Sequence, residues 1–264
     1  MSATTYTSSL RAGPATTVNR HLKGEWTKLR TLPSTWRTTA LAATLAIGLT
    51  AAVDVQQASL TAQQRPNFDA TSASLFGVII VATLLGALAV RTVTAEYATG
   101  MIRSTFSAMP ARRLVIAAKA ATVAAFVLPI ALLCDVAGFA LGQQILASMH
   151  LSVALSHPGV PRAIVFGAVA ASLVAIIGVG LGAIIRHTAA ATTALTLIIV
   201  GDVILGQLLP AGLRQYLPGT AVQAAITVHR SAGLLTPNAA IAVLGAYATI
   251  ALAAALIRVA HRDA

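Results

Sequence analysis

Charged residues are scarce in this chain of 264 residues. Asp, Glu, Lys and Arg make up only 9% of it, whereas hydrophobic residues make up 57% and the mean hydropathy is +0.81. A soluble domain carries about 25% charged residues, so this composition cannot cover a globule of this size with polar surface. The sequence therefore predicts an all-α, multi-pass membrane protein, because a bilayer is the solvent that suits such a composition.

Acidic residues are the scarcer charged class, with 7 Asp and Glu against 18 Lys and Arg, which gives a formal net charge of +11. An excess of this sign is also common in proteins that bind nucleic acids. Here the cations cluster at the ends of apolar runs, where membrane proteins place them. We therefore expect a lipid bilayer, and no nucleic acid, as the partner of these cations.

Motifs for several kinds of chemistry are also missing. The single cysteine, Cys134, lies in an apolar run and cannot form an intrachain disulfide. The histidines lack the paired spacing of metal ligands, so we expect no metal and no cofactor. Neither a G-x-S-x-G elbow nor a G-x-x-x-x-G-K-[ST] loop occurs, so we predict no enzymatic activity of the chain itself. Gly178, Gly180 and Gly182 indicate close helix packing rather than a nucleotide loop.

The sequence contains long apolar runs instead. The length of each run is close to the about 20 residues that a helix needs to cross a hydrocarbon core. Six runs are predicted as transmembrane helices, at about 38–54, 73–93, 114–142, 162–185, 188–209 and 238–258. Together they predict one transmembrane domain over residues 36–260.

The distribution of basic residues predicts the orientation of this domain. With the amino terminus inside, only Arg65, Arg162, Arg214 and Arg230 of the 18 Lys and Arg fall outside. Since basic connections are retained on the cytoplasmic side, we predict that both termini are cytoplasmic.

The amino-terminal region divides into two parts. Residues 1–17 are polar and lack a periodic apolar pattern, which predicts a disordered tail. Over residues 18–32 apolar residues recur at helical spacing with cations on the other sides, which predicts an amphipathic helix in the membrane surface. A solvated basic tail is the alternative. The residues expected at the membrane interface are Trp26, Lys28, Arg30 and Trp36.

The segment 210–237 separates the last two apolar runs. It is apolar between Thr220 and Val228, but this stretch is too short to cross a bilayer. We predict a pair of short helices that dip into the outer leaflet, with their backbone covered by other helices.

Two acidic residues lie within the predicted spans, where a charge is costly and therefore a candidate for function. Asp202 is near the middle of the fifth run, and Asp135 is in the outer half of the third. Either could contact a substrate along its path. A hydrogen bond to a neighbouring helix, as part of the packing, explains each of them equally well.

The connection between the second and third runs is a cationic segment, RTVTAEYATGMIRSTFSAMPARRLVIAAK, over residues 91–119. Tyr97, Met101, Thr105 and Met109 share one helical face, and Pro110 ends the helix. A helix of this kind can press its apolar side into a groove of a soluble partner. From the residues alone, a purely structural interfacial loop is equally consistent.

The chain resembles the ABC-2 type permeases of actinobacterial type, which are membrane subunits of ATP-binding-cassette exporters. The resemblance rests on the basic EWTKLRT start, six spans, and a second connection with E-Y-x-x-G, then I-R-S-T, a Pro, an Arg pair and Lys119. It extends over nearly all of the chain after residue 18.

The resemblance implies a fold, partners and a set of site residues. It implies a coupling helix in the second connection that contacts a separate ABC ATPase, a second permease copy, and a re-entrant segment between the last two spans. The positions that match the coupling motif are Glu96, Tyr97, Gly100, Arg103, Pro110 and Arg112. It further implies efflux of a drug, antibiotic, lipid or peptide across a bacterial cell membrane, with antibiotic resistance as a consequence.

Two other functions are compatible with the sequence. An ion- or proton-coupled carrier would use Asp202 and Asp135 as titrating groups. A membrane anchor or immunity-type protein would bind a toxin without transporting it.

Overall fold

The computed structural model describes residues 14–57, 68–102, 112–202, 206, 208–229 and 233–261. This part of the chain is helical and contains no β-strand. Its helices are α1 (Pro14–Thr31), α2 (Pro33–Gln56), α3 (Ala70–Ser74), α4 (Val78–Ala98), α5 (Arg112–Ala147), α6 (Val160–Ile185), α7 (Thr188–Val200), α8 (Ala211–Arg214), α9 (Pro218–Ile226) and α10 (Pro237–His261).

Five helical stretches are long and apolar enough to cross a membrane. They are Pro33–Gln56, Ala70–Ala98, Arg112–Ala147, Val160–Ile185 and Pro237–His261. The prediction of an all-α protein with several membrane-spanning helices is confirmed by these stretches.

The predicted fifth span, 188–209, differs from the other five. Helix α7 has 13 residues and ends at Val200, which is short of the about 20 residues that cross a hydrocarbon core. Residues 203–205 and 207 lie outside the described part of the chain. The count of six spans therefore stays a prediction.

Helix α6 lies at the centre of the bundle, where it packs against α4, α5 and α10. Its glycines permit close approach of the neighbouring backbones. A Cβ atom at Gly178 would lie 2.5 Å from the carbonyl oxygen of Gly86 on α4, and one at Gly180 would lie 2.8 Å from the carbonyl of Ala251 on α10. The predicted role of these glycines in helix packing is confirmed.

Helix α1 begins at Pro14, four residues before the predicted start of the amphipathic helix at residue 18. Its proline stands in the first turn, where the missing N–H costs no hydrogen bond. The rest of the predicted tail, residues 1–13, lies outside the described residues. The helix packs on α5 and α2 and buries Glu25 and Leu29.

The two ends of the bundle carry different polar groups. We call one the basic end and define it by Glu25, Lys28, Glu96, Lys119 and Arg186. It gathers α1, the carboxyl ends of α4 and α6, and the start of α5.

The opposite end is called the clamp end. It is defined by Asp69 before α3, Arg162 at the start of α6, and residues 227–229 after α9.

Candidate functional site

A cluster of two acidic and two basic side chains, three of them buried, joins three helices at the basic end. The Lys119 ammonium on α5 lies 2.6 Å from Oε2 of Glu25 on α1 and 2.7 Å from Oε1 of Glu96 on α4. The Lys28 ammonium on α1 lies 2.8 Å from Oε1 of Glu25 and 2.9 Å from Oε1 of Glu96. We call these four residues the ion cluster.

Burial makes the ion cluster energetically important. The Lys119 side chain is 1% exposed and the two glutamates are 8% exposed, whereas Lys28 is 45% exposed. A charge removed from water in this way is tolerated only when it is paired, and loss of one partner leaves the other uncompensated. The cluster therefore fixes α1 against α4 and α5.

The pKa values of the two α1 residues reflect this pairing. Burial favours the neutral form of Glu25, but Lys119 and then Lys28 stabilise the carboxylate more strongly and hold its pKa below the usual value of 4.5. Burial likewise opposes the charge of Lys28, but its hydrogen bonds to Glu25 and Glu96 outweigh it and raise the pKa above 10.5. Both groups are therefore ionised at neutral pH.

Two members of the ion cluster, Glu25 and Lys119, were not predicted as site residues. One signal could have identified them, since Lys119 is a cation within an apolar run and a buried cation needs an acidic partner. The chain has only 7 acidic residues, and Glu25 lies three residues before Lys28 on a predicted amphipathic helix. Residues at that spacing share a helical face.

A cavity of about 370 Å³ adjoins the ion cluster between α1, α2, α4 and α5. Its apolar lining includes Leu29, Leu32, Leu88 and Val123, and its polar lining includes Arg91 together with the ion cluster. The positions on α4 that face it recur every three or four residues, as expected for one side of a helix. They are Leu88, Arg91, Thr92, Ala95 and Glu96, and Thr99 just after the helix also lines the cavity.

The predicted coupling residues at the end of α4 differ in their surroundings. Tyr97 lies beneath the Arg186 guanidinium, whose Cζ is 4.8 Å from the centroid of the tyrosine ring. Gly100 has a φ of 70°, the left-handed conformation that glycine adopts at low cost just after a helix. It therefore ends α4, and Ile102 two residues later is again buried in the core.

Three further predicted coupling residues follow Gly100. Arg112 is the first residue of α5. Arg103 and Pro110 lie outside the described residues. The structure thus brings Glu96, Tyr97 and Gly100 together and does not test their contact with a partner.

The predicted interface residues lie around the junction of α1 and α2. Trp26 and Trp36 both make edge-to-face contacts with Phe126, each with ring centroids 6.1 Å apart. The Trp36 indole donates a hydrogen bond of 2.8 Å to the Arg30 carbonyl. Both indoles are also partly exposed, as expected of residues at a membrane surface. Lys28 belongs to the ion cluster as well.

Asp202 holds the start of helix α9. Its Oδ2 accepts a hydrogen bond of 2.9 Å from the Thr220 hydroxyl and another from the Thr220 amide. Since Thr220 is the third residue of α9, the carboxylate satisfies an amide that the helix itself cannot pair. This geometry favours the packing interpretation of Asp202.

Asp135 lies on α5 in a different environment. It is 3% exposed, and its Oδ2 has no hydrogen-bond partner among the described residues. A Cβ atom at Gly167 would lie 2.5 Å from this oxygen, so the carboxyl group occupies the space left by the glycine on α6. Asp202 and Asp135 line separate cavities and are not brought into one site.

Asp69 was not predicted, and it is the main polar contact of the clamp end. Its Oδ1 accepts hydrogen bonds from the amides of Thr71 and Ser72 in α3, at 3.0 and 3.1 Å. Its Oδ2 accepts hydrogen bonds from the amides of Val228 and His229 after α9, at 2.7 and 3.0 Å. One carboxylate thus holds two segments that are far apart in sequence.

Comparison with known protein families identifies the family of this chain. A family model described as "ABC-2 family transporter protein" matches residues 21–201. The chain belongs to this ABC-2 transporter family. No curated protein matches the chain.

The ABC-2 match covers the functional features described above. The ion cluster, its cavity and the end of α4 all lie within residues 21–201. The chain is therefore a multi-pass membrane permease of an ABC transporter, and permeases of this family work with an ABC ATPase subunit. The resemblance that was read from the sequence is confirmed.

Proposed function

We propose that this ABC-2 permease forms the transmembrane path of an exporter and that a separate ATPase drives it through residues 96–112, the coupling segment. The chain itself has no catalytic role in this proposal. The main support for this proposal is the position of Glu96, which lies at the start of the coupling segment and belongs to the ion cluster. Glu96 is 6% exposed, so it acts by fixing the segment to the bundle rather than by touching the ATPase.

The ion cluster gives this segment a mechanical connection to the bundle. A force on the turn at Gly100 reaches the end of α4, and the Glu96 carboxylate passes it to Lys28 on α1 and Lys119 on α5. Closure of the ATPase would then shift the population between two arrangements of these helices, one of which opens the path.

We propose that the basic end faces the cytoplasm. Lys and Arg residues are retained on that side, and the described cations at or near this end include Arg37, Arg91, Arg113, Arg186 and Arg258. In the same arrangement α1 lies in the inner membrane surface of a bacterial cell, α7 and the residues after it complete a sixth span, and both termini are cytoplasmic. Helices α8 and α9 form the re-entrant segment on the outside.

A second copy of the permease completes the path. Helices α2 and α10 are the least buried of the five spans and expose large apolar side chains, including Leu41 and Ile250. Such faces suit either lipid or another permease copy, and we propose a homodimer. The cargo is a drug, antibiotic, lipid or peptide, so export would confer resistance where the cargo is toxic.

An ion- or proton-coupled carrier is the less supported function. It needs Asp202 and Asp135 in one path, whereas they line separate cavities and Asp202 is bonded to Thr220. The function of an anchor or immunity protein does not explain why Glu96 on α4 is paired with lysines on two other helices.

Cross-linking tests the docking of the ATPase. After replacement of the single cysteine by C134S, the variant M101C carries a thiol at an exposed position of the coupling segment. With a reagent that joins a thiol to an amine, we expect it to form a cross-link with the ABC ATPase subunit. The matched control H229C, exposed at the clamp end, should form none. A cross-link from H229C, or none from M101C while the two subunits copurify, would contradict the proposed orientation.

Transport measurements distinguish the exporter from the carrier. In inverted vesicles that contain both subunits, uptake of the cargo should require ATP and stop when the ATPase is inactivated. Uptake that continues in ATP-depleted vesicles and follows an imposed proton gradient would instead support the carrier.

A further inference from the structure

The cavity beside the ion cluster presents cations to a ligand. Arg91 is exposed and the Lys28 side chain is 45% exposed, whereas the side chains of Glu25 and Glu96 are 8% exposed beneath the lysines. Counting Lys119 as well, three cations and two anions line the cavity, which leaves a net charge of +1. A molecule that enters therefore meets a net positive charge. Both carboxylates accept hydrogen bonds from the lysines, and only Oε2 of Glu96 has no partner among the described residues.

The amino terminus of α2 adds to this positive potential. Ser34 and Thr35 line the cavity within the first turn of a helix of 24 residues. Pro33 has no N–H and the Thr35 amide donates to the Leu32 carbonyl at 3.0 Å, so the Ser34 amide is the donor that the first turn offers to a ligand. The helix dipole also favours an anion at this end. This terminus, Lys28 and Arg91 all line the same cavity.

The rest of the lining combines apolar side chains with four threonines. The apolar residues are Leu29, Leu32, Leu88, Ala95, Met101 and Val123, and Leu32 is 50% exposed. Trp26 on α1 and Trp36 on α2 are partly exposed, as in proteins that lie at a membrane surface. A free phosphate ion has no apolar part that could contact these side chains.

We propose that this cavity binds one anionic phospholipid of the adjacent leaflet. The phosphate lies between Arg91, Lys28 and the amino terminus of α2, and an acyl chain runs along the leucines. The bound lipid fills the space beneath α1 and is distinct from any transported cargo. This site depends on the chain's lying in a membrane and not on its partner ATPase.

Native mass spectrometry of the full-length permease tests the site. The protein is released from micelles that contain equal amounts of phosphatidylglycerol and phosphatidylcholine. We expect one phosphatidylglycerol to be retained in preference to phosphatidylcholine. R91Q should weaken this retention about tenfold, since a charge-assisted hydrogen bond is lost. R37Q, an exposed arginine on α2 that does not line the cavity, should not.

A second pair of variants tests the cavity without changing charge. A95F places a ring in the cavity and should abolish lipid retention, whereas A98F, exposed on the same helix but outside the lining, should leave it intact. The water-soluble headgroup glycerophosphoglycerol should not compete. Equal losses in R91Q and R37Q, retention in A95F, or competition by the soluble headgroup would each overturn the proposal. None of these outcomes bears on ATPase docking, which the cross-linking measures separately.

Discussion

The basic end and the clamp end are both held by buried acidic residues, but the acids have different partners. At the basic end, Glu25 and Glu96 are paired with the ammonium groups of Lys28 and Lys119. At the clamp end, Asp69 accepts hydrogen bonds only from backbone amides among the described residues, at both the start of α3 and the segment after α9.

This difference has a mechanical consequence. A lysine side chain has four rotatable bonds and can follow or exchange a carboxylate while its helix moves. A backbone amide moves only when the chain moves with it. The basic end can therefore stay connected during a helix displacement, whereas the clamp end holds a loop in one conformation. This agrees with the proposal that the force of the ATPase enters at the basic end.

The largest expected effect comes from removing the central cation of the ion cluster. K119M keeps a side chain of similar length but leaves two buried carboxylates with only the half-exposed Lys28. We expect the free energy of unfolding in detergent micelles to fall by about 3–5 kcal/mol, because an uncompensated charge is left behind. Thermal or denaturant unfolding measures this change.

Two matched variants show whether the charge is responsible. R113M removes an exposed cation from the same helix and should change stability by less than about 0.5 kcal/mol. Adding E96Q to K119M should recover part of the loss, since one carboxylate then remains for Lys28. Equal effects of K119M and R113M would show that the cluster contributes nothing to stability.

A smaller and more local effect is expected at the clamp end. D69A removes the acceptor for the amides of Val228 and His229 and for those of Thr71 and Ser72. We expect a loss of about 2–3 kcal/mol, in the range for hydrogen bonds to a charged group and for a lost helix cap. Hydrogen exchange should be at least tenfold faster at these amides and unchanged around Lys119.

The variant D69N tests the two pairs of amide contacts of Asp69 separately. Asparagine retains one acceptor oxygen, so it should preserve one pair of amide contacts and lose the other. A D69A variant in which Val228 and His229 exchange at the normal rate would show that the clamp is unimportant for this loop.

The sequence predicted the spans of this permease better than its polar contacts. Span length depends on a run of apolar residues, and such runs are local. The ion pair between Glu25 and Lys119 joins residues 94 positions apart, and no periodic pattern connects them. Asp69 was missed for a similar reason, because it lies outside every apolar run and its partners at 228 and 229 are 159 and 160 positions away.

The predicted fifth span contains a polar contact that its apolar length does not predict. The run 188–209 is apolar, but α7 ends at Val200, and Asp202 caps α9 from just beyond that end. The pairing of Asp202 with Thr220 depends on the fold around it. Gly100, in contrast, was predicted as a position of the coupling motif from the family resemblance. Its positive φ gives the physical reason for a glycine there.

The smallest expected effect is the response of the basic end to pH. The pKa of Glu25 is lowered in the folded state, so its contribution to stability is complete above the usual value of 4.5 and is lost as the pH falls through the folded pKa. The pKa of Lys28 is raised, so its contribution is complete below 10.5 and is lost as the pH rises through the folded value. Docking of α1 should therefore weaken at both extremes and be constant between them.

Trp26 reports on this docking because it lies on α1 against Phe126. In a W36F background, its fluorescence should change at acid pH as α1 separates from α5. E25Q should remove most of that acid transition and shift the alkaline one to lower pH, since Glu25 helps to raise the pKa of Lys28. An acid transition that persists unchanged in E25Q would assign it to another carboxylate. In that case Glu25 would not be the acid-sensitive contact that distinguishes the basic end from the clamp end.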